Sequence, residues 1–264
     1  MSKNVLPLKI VMAYKILSKT KAKEIRSLSA KKARDEKALF IAEGEKSVID
    51  LLGSFDVEAI ICYQEWAERH SDLLHRFEPQ VFISDKRGLE IISSLNSIPP
   101  VVAVFKKWGV SENIPLLEKD RIYLLLDEIQ DPGNLGTIIR TCDWFGIYDI
   151  FASPETVDIY NPKVVQATMG SLSRVRVHYL NLEDLIRKNS EIPVIGTLLN
   201  GNPLNEFKKI SSCFLLMGNE GRGISEKLKQ LITIPLTIPP VNKNNHPDSL
   251  NVAIATAVVL SHIV

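Results

Sequence analysis

Between residues 124 and 146 the chain reads LLLDEIQDPGNLGTIIRTCDWFG, a segment that few folds can use. Leu124, Leu125 and Leu126 are consecutive and apolar. A run without alternation belongs to a strand covered on both faces. Asp131-Pro132-Gly133 is turn chemistry, because proline presets φ and glycine tolerates positive φ. Asn134 then stands where a helix N-cap is expected. Leu135, Ile138, Ile139, Cys142 and Phe145 recur at helical spacing and predict a stripe facing the core. Arg140 falls on the other face, one turn beyond Gly136, whose missing side chain would let the arginine lie close to the backbone and point toward the loop. On this segment alone, Arg140 serves equally well as a solvated helix charge.

The same alternation extends on both sides. From Arg121 onward, strands are expected at 122–126, 149–152, 194–198 and 214–217, and helices at 135–145, 162–170, 182–188 and from Leu250 to the end. That order implies an α/β fold with a mostly parallel sheet covered on both sides. Before it, 47–52 and 87–94 read as helices, and 59–63, 80–84 and 101–105 as short strands. Gly109, Asn113 and Pro115 interrupt the pattern amid mixed charge, which makes 109–120 a linker. The expected domains are therefore 1–108 and 121–264, each large enough for its own core.

Composition narrows the class. The 264 residues carry a net charge of +1, so a basic surface for nucleic acid must be local. No apolar stretch is long enough to span a bilayer, and the N-terminus lacks the apolar segment and cleavage site of a signal peptide. Cys62, Cys142 and Cys213 suit neither a disulfide framework nor a zinc site, which points to a reducing, cytoplasmic compartment. Cys142 reads as a small core residue.

Two further segments carry candidate chemistry. In LLMGNEGRGIS, residues 215–225, an apolar strand ends at Gly218-Asn219-Glu220-Gly221, with Gly223 shortly after. Parallel sheets bind ligands at strand C-termini, and glycine there permits close approach to the backbone. The order of glycines matches neither the Rossmann fingerprint nor the P-loop. The third segment leads from Ile238-Pro239 through a polar loop to Ser249-Leu250-Asn251 and a helix rich in Ala and Val. Ser249 is its expected N-cap.

Taken in order, DPGNLGTIIR, GNEGRG and IP…SLNVA resemble the three motifs of the SpoU (TrmH-like) RNA ribose 2′-O-methyltransferases of the SPOUT superfamily, over 122–264. KAKEIRSLSAKKARDEKALFIAEGEKSVIDLL resembles the substrate-binding domain that precedes the catalytic domain in many of them, a small α/β fold like certain ribosomal proteins. Its Lys21, Lys23, Arg26, Lys31, Lys32, Arg34 and Lys37 form a basic stretch suited to RNA phosphates. Lys31, Lys32 and Arg34 are the candidate RNA contacts. Without the resemblance, such a run is an ordinary solvated helix face.

The resemblance implies a trefoil knot, an arrangement otherwise nearly absent from proteins, that cradles S-adenosylmethionine (AdoMet). Gly218, Ile238 and Leu250 would line that pocket, with Thr197 nearby. It implies methyl transfer to a ribose 2′-hydroxyl of RNA, ribosomal RNA ahead of transfer RNA, by a homodimer joined through the knotted domain, without a metal. Arg140 maps onto the catalytic arginine. Since a guanidinium is a poor base, its expected work is gripping phosphate and stabilising alkoxide charge. Asn134 would orient the arginine or the ribose, Glu220 would hold Arg140 or shape the pocket, and Ser249 and Asn251 would place the substrate. One departure is the long, glycine-free loop PPVNKNNHPD with Lys243 and His246, the latter read as a surface residue. A non-catalytic RNA-binding or ribosome-assembly factor is the competing class, against which Asn134, Arg140, Glu220 and Asn251 stand intact. A Rossmann-type methyltransferase is disfavoured because no glycine-rich loop follows an early strand.

Overall fold

The computed structural model describes residues 14–109, 115–242 and 247–264. Lys243 and His246 lie outside the described residues. The chain forms two compact units, one from residues up to 48 with 56–106, the other from 49–55 with 107–264.

In the first unit, strands β1 (Lys15–Ile16), β2 (Leu39–Glu43), β3 (Val57–Cys62), β4 (Val81–Ile83) and β5 (Val101–Lys106) form a mixed sheet in the order β1-β4-β3-β5-β2. Helices α1 (Lys19–Ser27), α2 (Lys31–Lys37), α3 (Glu45–Leu51), α4 (Gln64–Arg69), α5 (Ser71–Leu74) and α6 (Lys86–Ile92) connect them. Ser18 caps α1 by accepting from the Lys21 N–H. The helix then buries Ala22 and Ile25 with Ile41, Ile61 and Leu89 in one apolar cluster.

In the second unit, β6 (Ile122–Leu126), β7 (Asp149–Ala152), β8 (Arg176–Tyr179), β9 (Val194–Pro203), β10 (Cys213–Met217) and β11 (Ile234–Thr237) form a six-stranded sheet in the order β11-β9-β10-β6-β7-β8. Every neighbouring pair is parallel. The helices are α7 (Pro132–Trp144), α8 (Pro162–Ala167), α9 (Leu182–Lys188), α10 (Glu226–Lys229) and α11 (Val252–Ile263). Leu124, Leu125 and Leu126 are fully buried, as the unalternating run requires. Tyr123 and Leu125 join Phe214 and Leu216 of β10 and Leu182 and Leu185 of α9 in one core. By strand alternation, Leu124, Leu126 and Leu215 supply the opposite, equally buried face. Each such side chain contributes about 1.5–3 kcal/mol of burial. Successive strands step outward from β6 to β8, and the chain then returns to the other side of β6 for β9 to β11. The reversal lies between β6 and β10, where a parallel sheet opens a crevice at its strand C-termini.

Several local expectations are revised. Asp131, not Asn134, caps α7, since its carboxylate accepts from the Asn134 N–H at 2.8 Å and Pro132 takes the first turn. Asn251, not Ser249, caps α11, because its side-chain oxygen reaches the N–H groups of Ala253 and Ile254. That helix therefore begins at Val252. Gly136 is buried against α8: an added Cβ would stand 2.4 Å from the Ala167 Cβ and 2.9 Å from the Val164 carbonyl oxygen. Its smallness serves helix packing and not the arginine. Strand β8 and helix α10 carry no strong pattern in sequence, and α8 stops before Met169 and Gly170, both at positive φ.

Candidate functional site

The loops after β6 and β10 meet at the sheet reversal, and hydrogen bonds join them. Asp127, buried at the end of β6, accepts from the Ser225 N–H at 2.7 Å. Asn219 donates its side-chain amide to the Glu128 carbonyl at 2.8 Å. Arg222 pairs with the Glu128 carboxylate at 2.8 Å. The 218–223 loop folds back on itself, with Asn219 and Gly223 exchanging both backbone hydrogen bonds. At Gly218 a Cβ would fall 2.3 Å from the Gly223 carbon and the Ile224 nitrogen. The loop itself therefore requires this glycine.

Three of the sequence-derived candidates form one hydrogen-bonded line. Asn134 Nδ2 donates to Glu220 Oε1 at 2.9 Å, and Asn251 Nδ2 donates to Asn134 Oδ1 at 2.8 Å. Glu220 also faces the backbone N–H groups of Gln130 and Asp131 at 3.5 and 3.4 Å. A carboxylate only accepts, so it fixes which end of the Asn134 amide faces it. The Asn134 oxygen then orients Asn251, whose own oxygen is committed to the start of α11. The expectation that Glu220 holds Arg140 is replaced: Glu220 holds Asn134. Arg140 is exposed on α7, two turns along from Asn134, and makes no hydrogen bond or ion pair with another described residue. Ser249 is exposed and does not join the line.

The four candidate cofactor contacts lie on neighbouring elements. Thr197, on β9, approaches the Leu216 carbonyl and the Met217 sulfur at 3.5 and 3.6 Å. Gly218 follows β10, Ile238 follows β11 and Leu250 precedes α11. Leu250 is 51% exposed and Leu199, on the same stretch of β9 as Thr197, is 74% exposed. Exposed aliphatic side chains beside a strand end suit an adenine or a methylene chain, which favours apolar walls with a few polar contacts. Close backbone packing also marks this side, where a Cβ at Gly201 would meet the Leu236 and Pro235 backbone at 2.7 to 2.9 Å.

The basic stretch divides on inspection. Arg34 is 2% exposed and donates to the Leu28 and Ser29 carbonyls at 3.1 and 2.8 Å, so it is removed from the candidate RNA contacts. It satisfies the carbonyl at the C-cap of α1 and the one that follows it. Arg26 likewise donates to the Ile92 and Ser93 carbonyls. Lys37 and Lys21 lie on Glu24, whose carboxyl is held below its ordinary range first by the Lys37 hydrogen bond. Lys32 meets Glu36 only at 3.8 Å, while Lys23 and Lys31 are exposed. The three cysteines are free and buried. Burial pushes the Cys62 and Cys213 thiols up to about 12 and raises Cys142 as well, which removes them as nucleophiles near neutral pH.

Asn219, Asp127, Glu128 and Arg222 were not singled out from sequence. Asp127 has a visible signal, a carboxylate directly after three leucines, but its partner is a backbone N–H of a distant loop. Among the described residues no cluster of His, Cys, Asp or Glu could hold a metal ion, and no helix is long and apolar enough to cross a membrane.

Comparison with known proteins covers most of the chain. The SpoU rRNA Methylase family matches residues 121–261, and the MRM3-like substrate binding domain matches 19–103. The 23S rRNA (guanosine(2553)-2′-O)-methyltransferase of Bacillus subtilis is 30% identical over 246 residues, covering 92% of this chain and 95% of that protein. The crystal structure of an AdoMet-bound rRNA methyltransferase from Sinorhizobium meliloti is similar with a TM-score of 0.80 and 32% identity, covering 94% of this chain and 96% of that one. A TrmH-family structure from Porphyromonas gingivalis is similar with a TM-score of 0.79 and 35% identity, covering 94% and 98%.

Proposed function

Because this chain belongs to the SpoU rRNA methylase family, we propose that the crevice between β6 and β10 is where it methylates ribose, with Arg140, Asn134, Glu220 and Asn251 as the working groups. The protein is an AdoMet-dependent RNA 2′-O-methyltransferase, and its substrate is ribosomal RNA. The observation that carries the assignment of residues is the line from Glu220 through Asn134 to Asn251, which ties all three sequence motifs together at the strand C-termini.

When bound, AdoMet supplies a methyl group already activated on a sulfonium sulfur. The 2′-hydroxyl is the harder partner, a poor nucleophile until its proton leaves. A guanidinium makes a poor general base, so Arg140 acts through its hydrogen bonds and charge. Its exposed guanidinium grips the neighbouring phosphate and stabilises negative charge as it develops on the 2′-oxygen. Asn134, held at both ends of its amide, presents a fixed edge toward the ribose. Thr197, Gly218, Ile238 and Leu250 hold the cofactor, supported by the exposed aliphatic side chains beside β9 and α11. Ser249 retains its place in this reading as a substrate contact, supported by its exposure next to Leu250.

The rest of the reading follows the same support. An N-terminal domain of residues 1–108 binds RNA through Lys31 and Lys32, the linker spans 109–120, and 121–264 carries catalysis; the two family matches at 19–103 and 121–261 support this division. A trefoil knot is supported by the family match over residues 121–261. Homodimer formation through the catalytic unit is supported by Ile254, an apolar side chain 53% exposed on α11, whereas Ala253 and Leu260 face the chain's own core. A cytoplasmic site of action is supported by the three unpaired cysteines.

Replacing Arg140 tests the assignment. Transfer of labelled methyl from AdoMet to ribosomal RNA is expected to fall by about 10²- to 10³-fold in Arg140→Ala, the range for losing one charge-stabilising donor. AdoMet affinity by calorimetry should stay nearly unchanged. Equal activity in the variant removes Arg140 from the reaction.

A further inference from the structure

We propose that Asn219 is a positioning residue for methyl transfer, whose side-chain amide holds Glu220 and the loop that Glu220 faces in one fixed relation. The inference rests on the functional reading above and adds a residue to it. Asn219 precedes Glu220 and points away from the reacting groups, toward the two loops. Its Oδ1 accepts from the Gly221 and Arg222 N–H groups at 2.9 and 3.0 Å, which closes the turn carrying Glu220. Its Nδ2 donates across to the Glu128 carbonyl at 2.8 Å. One planar amide therefore organises the turn with its oxygen and bridges to the β6–α7 loop with its nitrogen.

The far end of the bridge is unusual backbone. Glu128 has a φ of +57°, a region that residues with side chains seldom occupy. The neighbours hold it there: the Ser153 hydroxyl accepts from its N–H at 3.0 Å, while Asn219 takes its carbonyl. The chain then passes through fully buried Ile129 to Gln130 and Asp131, whose N–H groups face the Glu220 carboxylate. Asp131 in turn caps α7 at Asn134. Both routes into the Glu220–Asn134 hydrogen bond thus start at Asn219. Freeing the bridge lets the carboxylate and the amide drift relative to each other, while the backbone pairing of Asn219 with Gly223 keeps Gly218 in place. Reaction rates respond steeply to such drift, because misplacement by about 1 Å can cost about 100-fold.

Asn219→Asp separates the two halves of the amide. The aspartate keeps the oxygen that closes the turn but places a second oxygen against the Glu128 carbonyl, so the bridge is lost. Asn219→Ser serves as a second variant, able to cap the turn but too short to reach Glu128. The assay is methyl transfer from labelled AdoMet to ribosomal RNA extracted from a host strain lacking the gene, with AdoMet affinity by calorimetry and thermal melting measured alongside. Both variants are expected to lose about 10- to 100-fold in kcat, with KM for RNA, AdoMet affinity and melting temperature near those of the unaltered chain. Unchanged kcat overturns the proposal. So does a loss of rate matched by loss of AdoMet binding or of the fold, since Asn219 would then be merely structural. If the unaltered chain transfers no methyl group to RNA, the functional reading itself fails and this proposal falls with it.

Discussion

Substituting alanine for Gly136 sets two effects of opposite sign against each other. Gly136 lies inside α7, where alanine is favoured over glycine by about 1 kcal/mol. The added methyl would also be buried, for roughly another 0.8 kcal/mol. Against this, the new Cβ would stand 2.4 Å from the Ala167 Cβ, 2.9 Å from the Val164 oxygen and 3.1 Å from the Ala167 carbonyl carbon. Ordinary carbon–carbon contact needs about 3.5–4.0 Å. None of the three atoms can rotate away, because two are backbone and the third is fixed to an α-helix. Helix α7 or α8 must move as a body. Overpacking that forces backbone shifts costs about 1–3 kcal/mol and occasionally more, and the absence of any flexible neighbour puts this case at about 3 kcal/mol or above.

The balance is a net loss of about 1–2 kcal/mol for Gly136→Ala. At about 2–4 °C per kcal/mol for a unit of this size, the melting temperature should fall by roughly 2–8 °C. Differential scanning calorimetry of the two full-length proteins reads this directly. Gly221→Ala is the matched control, since a Cβ there has only the Asn219 Oδ1 nearby, at 3.7 Å. An unchanged or raised melting temperature in Gly136→Ala would show that α7 and α8 are not packed as closely as described, and would refute the reasoning.

Three other outcomes follow from charged side chains. Lys31→Ala combined with Lys32→Ala should weaken RNA binding and lower the slope of log affinity against log salt by about 1–2, read by filter binding at several salt concentrations. Arg34→Ala should leave that slope unchanged and instead destabilise the fold, because the Leu28 and Ser29 carbonyls lose their donor. Asp143 gives a pH effect: burial pushes its carboxyl up, but hydrogen bonds from Arg174 and Ser171 and the Arg174 charge outweigh burial and hold it below the ordinary carboxylate range. Its stabilising contribution is therefore present above the unfolded-state value near about 3.9 and is lost as pH falls through the lower folded-state value. Thermal melts of the unaltered chain and Asp143→Asn should differ at pH 6 and converge in acid, and a constant difference would count against the pair.

The fold was legible where pattern and burial agree. The leucines of β6 and the apolar run of β10 could only be central strands, and they pair directly in parallel register, Leu124 with Leu215 and Leu126 with Met217. Strand β8 was not legible, since Arg176-Val177-His178-Tyr179 sits at the sheet edge, is largely uncovered and has no apolar run to reveal it. Helix starts failed for a different reason. Asp131 and Asn134 are both good caps by residue type, as are Ser249 and Asn251. Which one serves depends on the chain's approach, and that is fixed by sheet pairing and not by local preference.

The site shows a sharper division between what residue type and what position reveal. Asn134, Glu220 and Asn251 could be chosen from sequence because the three segments that hold them resemble the SpoU motifs. Their hydrogen-bond order could not, because every one of them can bond to several partners. The order is decided by which groups have prior obligations. Asn251 must spend its oxygen on α11, which leaves only its nitrogen for Asn134. Asn134 must then turn its oxygen to Asn251 and its nitrogen to Glu220. With Glu220 facing Asn134 and two backbone N–H groups, Arg140 stays exposed on α7. The order of the line is thus a consequence of helix capping at α11, transmitted through two amides to the carboxylate.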